Sequence, residues 1–138
     1  MKASKLLKFV GVGMVFSSFL FACSHKDSDV KTIGVLQYME HGALDAAYEG
    51  FIAGLAEEGY IEGENIKIDL KNAQGDLTTA QTIANQYVSD DVDMMFAIAT
   101  QAVQSAYNAT KDIPILMTAV TDPVEAGVVK DWNQSGTN

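Results

Sequence analysis

The sequence lacks the residues that mark several large functional classes. It has one cysteine in 138 residues, which excludes an internal disulfide, and no Cys/His spacing indicates a metal site. It has no arginine, and its nine lysines are outnumbered by 18 acidic residues, which gives a net charge of −9. Because nucleic-acid binding needs clustered positive charge, no nucleic-acid partner is expected.

Signals for catalysis are also missing. The first predicted strand is followed by "QYMEHG" and not by the glycine-rich loop of a dinucleotide site. Neither the phosphate-binding GxxxxGK[ST] motif nor a GxSxG nucleophile elbow occurs. His41 has no nucleophile nearby in sequence. The sequence therefore predicts no catalytic residue and no cofactor, and the chain is not expected to be an enzyme.

One long uncharged run is present, at the amino terminus. Residues 1–8 carry three lysines, and residues 9–22 carry no charge. As a helix this run would cover roughly 21 Å, less than the ~30 Å hydrocarbon core of a bilayer, so it is typical of a secretory signal peptide. The residues Leu20-Phe21-Ala22-Cys23 that end the run resemble a bacterial lipobox. This resemblance implies cleavage after Ala22 and lipid attachment at the sulfur of Cys23.

The lipobox interpretation predicts the domain order and the location. Residues 1–22 are a lipoprotein signal peptide, residues 23–30 are a polar tether, and residues 31–138 form the folded part. The protein is then anchored by two or three acyl chains to the bacterial cell membrane, facing outside, or faces the periplasm of a two-membrane cell. The alternative is that Cys23 is an unmodified thiol after an ordinary signal peptide or a short membrane segment.

From residue 31 onward, strand and helix patterns alternate. Four strands are predicted, three from continuous apolar runs and the last from strict alternation: 31–38, 92–100, 113–120 and 65–71. Three helices are predicted from apolar stripes: 43–60, 77–89 and 101–110. Asp76 is the expected cap of the second helix, whose stripe starts at Leu77, and Asp122-Pro123 predicts the start of a fourth helix. The order predicts an α/β fold with an open, mainly parallel sheet flanked by helices on both faces.

Polar side chains follow three of the predicted strands. Ligands of such sheets bind at the carboxyl ends of the strands, near the switch in strand order, and helix amino termini there suit an anionic group. Thr100 can bind a carboxylate, Asp122 can accept from an ammonium group, and Gln37 and His41 can do either. Thr and Asp are also ordinary N-cap residues, and the spacing alone favours capping over ligand binding. His41, beside Gly42, is equally well interpreted as a turn residue.

Three segments, residues 31–76, 93–110 and 113–129, together resemble the ABC transporter substrate-binding protein family. They are most similar to its lipoprotein members associated with tryptophan or tyrosine uptake. The resemblance implies a type I periplasmic-binding-protein fold, in which two Rossmann-like lobes close on a small solute and deliver it to a membrane permease. The segments "ATQ" and "TDPVEAG" match cleft motifs of the first lobe. Thr100, Gln101, Thr121 and Asp122 are thereby implied as ligand contacts, with Gln37 and His41 beside them, although position 101 is often Pro in relatives.

Family members are about twice as long as this chain. Residues 31–138 are therefore expected to be the first lobe alone, and the unpatterned end "KDWNQSGTN" suggests a fragment or an early stop. A single lobe is expected to bind a solute weakly and to expose apolar surface. The predicted function is a lipid-anchored solute receptor of an ABC importer, taking an aromatic amino acid. The alternatives are a secreted Rossmann- or flavodoxin-like enzyme, which would need a glycine loop, and the sensor lobe of a regulator.

Overall fold

The computed structural model describes residues 30–138. Within this range strands and helices alternate along the chain: β1 (Lys31–Gln37), α1 (Gly42–Glu57), β2 (Ile66–Asn72), α2 (Leu77–Ser89), β3 (Met94–Ile98), α3 (Thr100–Ala109) and β4 (Ile115–Thr118). The predicted order is confirmed, and α2 has the predicted bounds. The predicted signal peptide, Cys23 and all of the predicted tether except Val30 lie outside the described residues. No helix within the described range is long and apolar enough to cross a bilayer.

The four strands form one parallel sheet in the order β2-β1-β3-β4. Because β1 lies between β2 and β3, the chain first leaves β1 toward one side and later returns to the other. This is the switch in strand order, and it lies between β1 and β3. Gln37 pairs with Asn72 on one side and with Ile98 on the other, so three strands end at the same level.

One face of the sheet is covered by α1. The buried side chains on this face are all apolar and come from β1, β2 and β3: Ile33, Val35, Ile66, Ile68, Phe96 and Ile98. Phe51 of α1 stacks on Phe96 with 4.1 Å between ring centroids. No residue of α1 is fully buried, which makes α1 an outer layer over a sheet whose own side chains form the core.

The opposite face is covered by α2 and α3, and Tyr87 of α2 is the largest fully buried side chain there. A Cβ at Gly34 would lie 2.8 Å from the Tyr87 ring, so β1 needs glycine at this position. The Tyr87 hydroxyl lies 2.9 Å from the Val35 carbonyl and 2.7 Å from that of Asp69. It therefore bonds to backbone of both β1 and β2. Burial, and secondly the charge of Asp69, raise the pKa of Tyr87 far above its usual value.

The burial predicted from the apolar patterns is wrong at three leucines, of which Leu70, the third apolar position of the alternating strand β2, is 42% exposed. The apolar run of β4 predicted a strand covered on both faces, but Leu116 is 46% exposed. β4 is an edge strand, and the cluster under α1 ends at β3. Leu77, at the start of the apolar stripe of α2, is 57% exposed, whereas the four positions Ala80, Ile83, Ala84 and Tyr87 are buried as the stripe predicts.

The fourth helix predicted from Asp122-Pro123 does not form. Asp122 does cap a turn, but the turn closes after Ala126 donates to the Asp122 carbonyl at 3.0 Å. Gly127 then takes a left-handed conformation, with φ of 73°, which directs the chain away from the helical path. Val128 is buried by this change of direction and joins the core under α2 and α3.

Candidate functional site

The carboxyl edge of the sheet contains three non-glycine residues in the left-handed region. Gln74, Ala99 and Ala119 follow β2, β3 and β4, with φ of 56°, 85° and 55°. Such conformations cost about 1–3 kcal/mol each and occur often at ligand sites. At Ala99 the cause is local, because the chain passes from β3 into α3 through this one residue.

Thr100 does not cap α3, contrary to the sequence-based expectation. Ala99 occupies the cap position, with φ of 85° and ψ of 153°, and no side chain caps the helix. Ala99 donates to the Thr118 carbonyl at 3.1 Å and accepts from the Val103 amide at 3.1 Å. Because β3 ends at Ile98, two residues earlier than predicted, Thr100 is already helical, and its hydroxyl makes no hydrogen bond within residues 30–138.

Four of the six predicted contacts come together. Thr100, Gln101, Thr121 and Asp122 line one depression of about 330 Å³ between the start of α3 and the turn that follows β4. The other lining residues are Gln104, Glu125 and Ala126. With two carboxylates and the amino terminus of a helix, this depression offers groups for both a positive and a negative charge.

One carboxylate oxygen of Asp122 accepts hydrogen bonds from its own turn, and the other can accept a hydrogen bond from a ligand. Its Oδ1 accepts from the amides of Val124 and Glu125, both at 2.9 Å. No hydrogen bond to Oδ2, or to the hydroxyl of Thr121, is found in the described part of the chain. Asp122 therefore caps the turn and still has an oxygen free to accept a hydrogen bond from a ligand.

Gln37 and His41 lie at the same edge of the sheet but outside this depression. Gln37 is buried, 4% exposed, and its Nε2 donates to the Met39 carbonyl at 2.9 Å and to Asp45 at 2.7 Å. His41 is exposed and is the N-cap of α1, where its Nδ1 accepts from the Ala43 amide at 3.2 Å. The observed contacts of these two side chains are thus with the loop between β1 and α1, at Met39, and with the first turn of α1, at Ala43 and Asp45.

Asp76 is a further carboxylate at this edge. It caps α2 by accepting from the Thr79 amide at 2.7 Å, as predicted. Hydrogen bonds from Thr79, its side chain first and its backbone second, lower the pKa of Asp76. Within residues 30–138, no group of three or more His, Cys, Asp or Glu side chains could hold a metal ion.

Sequence reasoning missed three residues of the site region. Gln104 and Glu125 line the depression, and Asp45 accepts from Gln37. Gln104 follows Thr100 by four residues on a helix, so helical spacing would have placed both on one face. For Asp45 the only signal was an acidic residue in the first turn of a predicted helix, which is common for reasons of the helix dipole.

The family follows from the comparison with known sequences. The sequence profile of the ABC transporter substrate binding protein family matches residues 32–138, which is nearly all of the folded part. The chain belongs to this family. The chain is similar to the tyrosine-binding protein of Clostridioides difficile (strain R20291). The two are 47% identical over 150 residues, which cover 99% of this chain and 44% of the relative.

Solved substrate-binding proteins share the fold. A ligand-free, open substrate-binding protein with adhesive properties from Clostridium difficile matches with a TM-score of 0.77 and 55% identity, over 78% of this chain and 37% of that one. A conserved domain protein from Vibrio cholerae matches at 0.78 and 46%, over 79% and 37%. The ABC domain in complex with L-Trp from Streptococcus pneumonia matches at 0.75 and 44%, over 78% and 36%. The chain therefore spans less than half the length of these relatives.

Proposed function

We propose that the chain is the first lobe of the solute receptor of an ABC importer, and that the solute is an aromatic amino acid. The observation that supports the solute class most directly is the similarity of the chain to two relatives whose descriptions name an aromatic amino acid. One is a tyrosine-binding protein at 47% identity, and the other is a structure in complex with L-Trp at 44% identity. The partner implied by the family is a membrane permease, to which the receptor delivers its solute.

The depression between α3 and the Asp122 turn supports recognition of a zwitterion. The first backbone N–H groups of α3 are free of intrahelical partners and suit a carboxylate. Oδ2 of Asp122 suits an ammonium group, because a charge-assisted hydrogen bond is about twice as strong as a neutral one. We place the amino-acid backbone of the solute between Thr100 and Asp122, with Gln101 and Thr121 at the rim.

Calorimetric titration with the twenty amino acids tests the solute class. We expect heat from L-tyrosine or L-tryptophan and none from sugars or metal ions, whose binding instead would contradict the proposal. Asp122→Asn keeps an oxygen for the turn and removes the charge, so we expect about tenfold or greater weakening, as for loss of a charged hydrogen bond. Asp112→Asn, an exposed aspartate outside the depression, is the matched control and should leave the affinity unchanged.

We further propose that the receptor is lipid-anchored through Cys23 and faces the outside of the cell membrane. In the fold, β1 begins at Lys31, so a tether joins the sheet at its amino edge. The depression lies at the carboxyl edge, roughly 20 Å away at the rise of a seven-residue strand. Incorporation of radiolabelled palmitate, lost in Cys23→Ala, is the expected result, and an unlabelled product that retains residues 1–22 would exclude the anchor.

A binding role without catalysis is the simplest assignment for this site. An enzyme of the same fold class would use a glycine loop after β1 to approach a phosphate. In this chain the loop is Tyr38–His41, without a glycine. Gln37 bonds to the loop carbonyl of Met39, and the Tyr38 side chain of the loop bonds to the carbonyl of Gly75. No observation favours the regulator alternative over the receptor.

A further inference from the structure

The amide of Gln37 is held in one orientation at the switch point of the sheet. Its Nε2 donates to the carbonyl of Met39 at 2.9 Å and to Oδ1 of Asp45 at 2.7 Å. Both partners are acceptors, so a flipped amide would place its oxygen against two oxygens. Gln37 is only 4% exposed, and a buried amide that lost these partners would be left unsatisfied.

The loop between β1 and α1 is tied to its surroundings at several points. The Tyr38 hydroxyl donates to the Gly75 carbonyl at 2.6 Å, and the Tyr38 amide donates to the Ile98 carbonyl at 3.3 Å. His41 caps α1. Between these points, the only side-chain contact to the loop backbone at Met39 within the described residues is that of Gln37. Asp45 is half-buried on α1 and connects this contact to the helix.

We propose that Asp45 is a positioning residue for the solute site. Its carboxylate fixes the Gln37 amide, the amide fixes the carbonyl of Met39, and the loop thereby keeps its shape at the carboxyl edge beside the switch in strand order. No hydrogen bond to Oε1 of Gln37 is found within residues 30–138, so the same arrangement leaves this oxygen as an acceptor for a solute N–H. The effect on solute binding rests on the proposed function, whereas the effect on the loop does not.

The alternative role of Asp45 is electrostatic, because an acidic residue in the first turn of α1 interacts favourably with the helix dipole. Asparagine separates the two roles. Asp45→Asn removes the charge and keeps an oxygen that can accept from Gln37, whereas Asp45→Ala removes both. A positioning role predicts that Asp45→Asn keeps the loop order and solute affinity of the wild type, which Asp45→Ala loses. A dipole role predicts that the two variants lose them equally. Glu49→Ala, an exposed acidic residue one turn further along α1, is the matched control.

Amide hydrogen exchange of the 138-residue chain tests the effect on the loop. The reporter amides are Tyr38 and Ala43, which are hydrogen-bonded at the two ends of the loop, and the reference is Val103 in α3. We expect exchange at both reporters to rise about tenfold in Asp45→Ala and in Gln37→Ala, with no further rise in the double variant. Wild type, Asp45→Asn and Glu49→Ala should agree within about threefold. Equal reporter exchange in wild type and Asp45→Ala would overturn the proposal.

Solute affinity, measured on the same variants with L-tyrosine and L-tryptophan, tests the consequence. We expect Asp45→Ala to bind about tenfold more weakly and Asp45→Asn to stay within about threefold of wild type. If the wild type binds a sugar or a metal ion instead of either amino acid, the proposed solute class fails. In that case, or where binding by the single lobe is too weak to measure, the exchange result alone decides the role of Asp45. If the wild type binds and Asp45→Ala binds equally well with a loosened loop, Asp45 does not position the site and the inference is wrong.

Discussion

At the scale of single residues, Tyr87 and Gly34 act as one unit. The nearest ring atom lies 2.8 Å from where a β-carbon of residue 34 would be, and the hydroxyl bonds to carbonyls of two strands. A tyrosine on the apolar stripe of a helix is ordinarily interpreted as core. The structure adds that its polar end joins α2 to β1 and β2, which apolar packing alone would not specify.

Tyr87→Phe should lower the free energy of unfolding by about 1–2 kcal/mol, because the hydrogen bond that its hydroxyl shares between two strand carbonyls is lost while the ring packing is kept. Urea denaturation measures this as a lower midpoint with an unchanged slope. Tyr107→Phe is the control, since the Tyr107 hydroxyl makes no hydrogen bond within residues 30–138, and it should change the midpoint little. Equal effects of the two substitutions would show that the hydroxyl of Tyr87 contributes nothing.

The raised pKa of Tyr87 predicts a loss of stability at high pH. The folded state keeps the phenol protonated above pH ~10, where the unfolded state has released that proton. The contribution of Tyr87 is therefore complete below about pH 10 and decreases by up to about 1.4 kcal/mol for each further pH unit. The free energy of unfolding of Tyr87→Phe should fall less steeply between pH 10 and 11 than that of wild type.

The backbone conformation of Ala99 is sterically unfavourable for a residue that has a β-carbon. Its φ of 85° is unfavourable for alanine and accessible to glycine, so Ala99→Gly should raise the free energy of unfolding by about 1 kcal/mol. Ala97→Gly, at a buried position inside β3, is the control and should lower it by a similar amount. Thermal denaturation measures both, and a destabilised Ala99→Gly variant would contradict the strain argument.

At the scale of elements, α2 shows why some helices are predicted well. Its cap and its bounds are as predicted and its stripe is buried at four of five positions, and all three are local features of the sequence. The predicted helix at Asp122 had only the cap signal, and the glycine at 127 ended it after one turn. A cap signal alone is therefore insufficient to predict a helix where the following residues do not continue the helical period of apolar residues.

The cap of α2 predicts a dependence of stability on acid pH. The lowered pKa of Asp76 means that its carboxylate is more favourable in the folded state, so its contribution is present above the usual carboxyl pKa and is lost as the pH falls through the lowered value. Asp76→Ala should therefore unfold at a lower temperature than wild type at pH 7. The difference should shrink steadily below pH ~4. A difference that stays constant down to pH 2 would assign the effect to something other than the charge.

The site was predicted less completely than the fold, for a physical reason. Strand ends and helix starts are local, so the positions of Thr100 and Asp122 at one edge of the sheet followed from the predicted order of elements. Whether a side chain there is free or already bonded depends on contacts across the fold. Gln37 and Asp45 are eight residues apart, and no pattern in the sequence indicates that they meet.

At the scale of the whole molecule, the two edges of the sheet differ in character. The outer strand β2 has charged side chains along it, among them an ion pair between Asp69 and Lys71. The other outer strand, β4, has the sequence Ile-Leu-Met-Thr and borders an apolar groove of about 320 Å³. Natural proteins protect edge strands with charges or cover them. Within residues 30–138 only the β2 edge has such charges, so β4 is the surface on which this chain is expected to associate.

Leu116→Lys should therefore reduce self-association of the 138-residue chain. Leu116 is 46% exposed on β4, and a lysine there adds charge to the edge without filling a buried position. In sedimentation velocity over a range of concentrations, we expect the wild type to form dimers or larger species and the variant to remain monomeric. Leu70→Lys, at a similarly exposed leucine on β2, is the matched control and should leave the association of the wild type in place. Association that persists in Leu116→Lys and disappears in Leu70→Lys would assign the interface to the β2 edge, because the two substitutions add the same charge to opposite sides of the sheet.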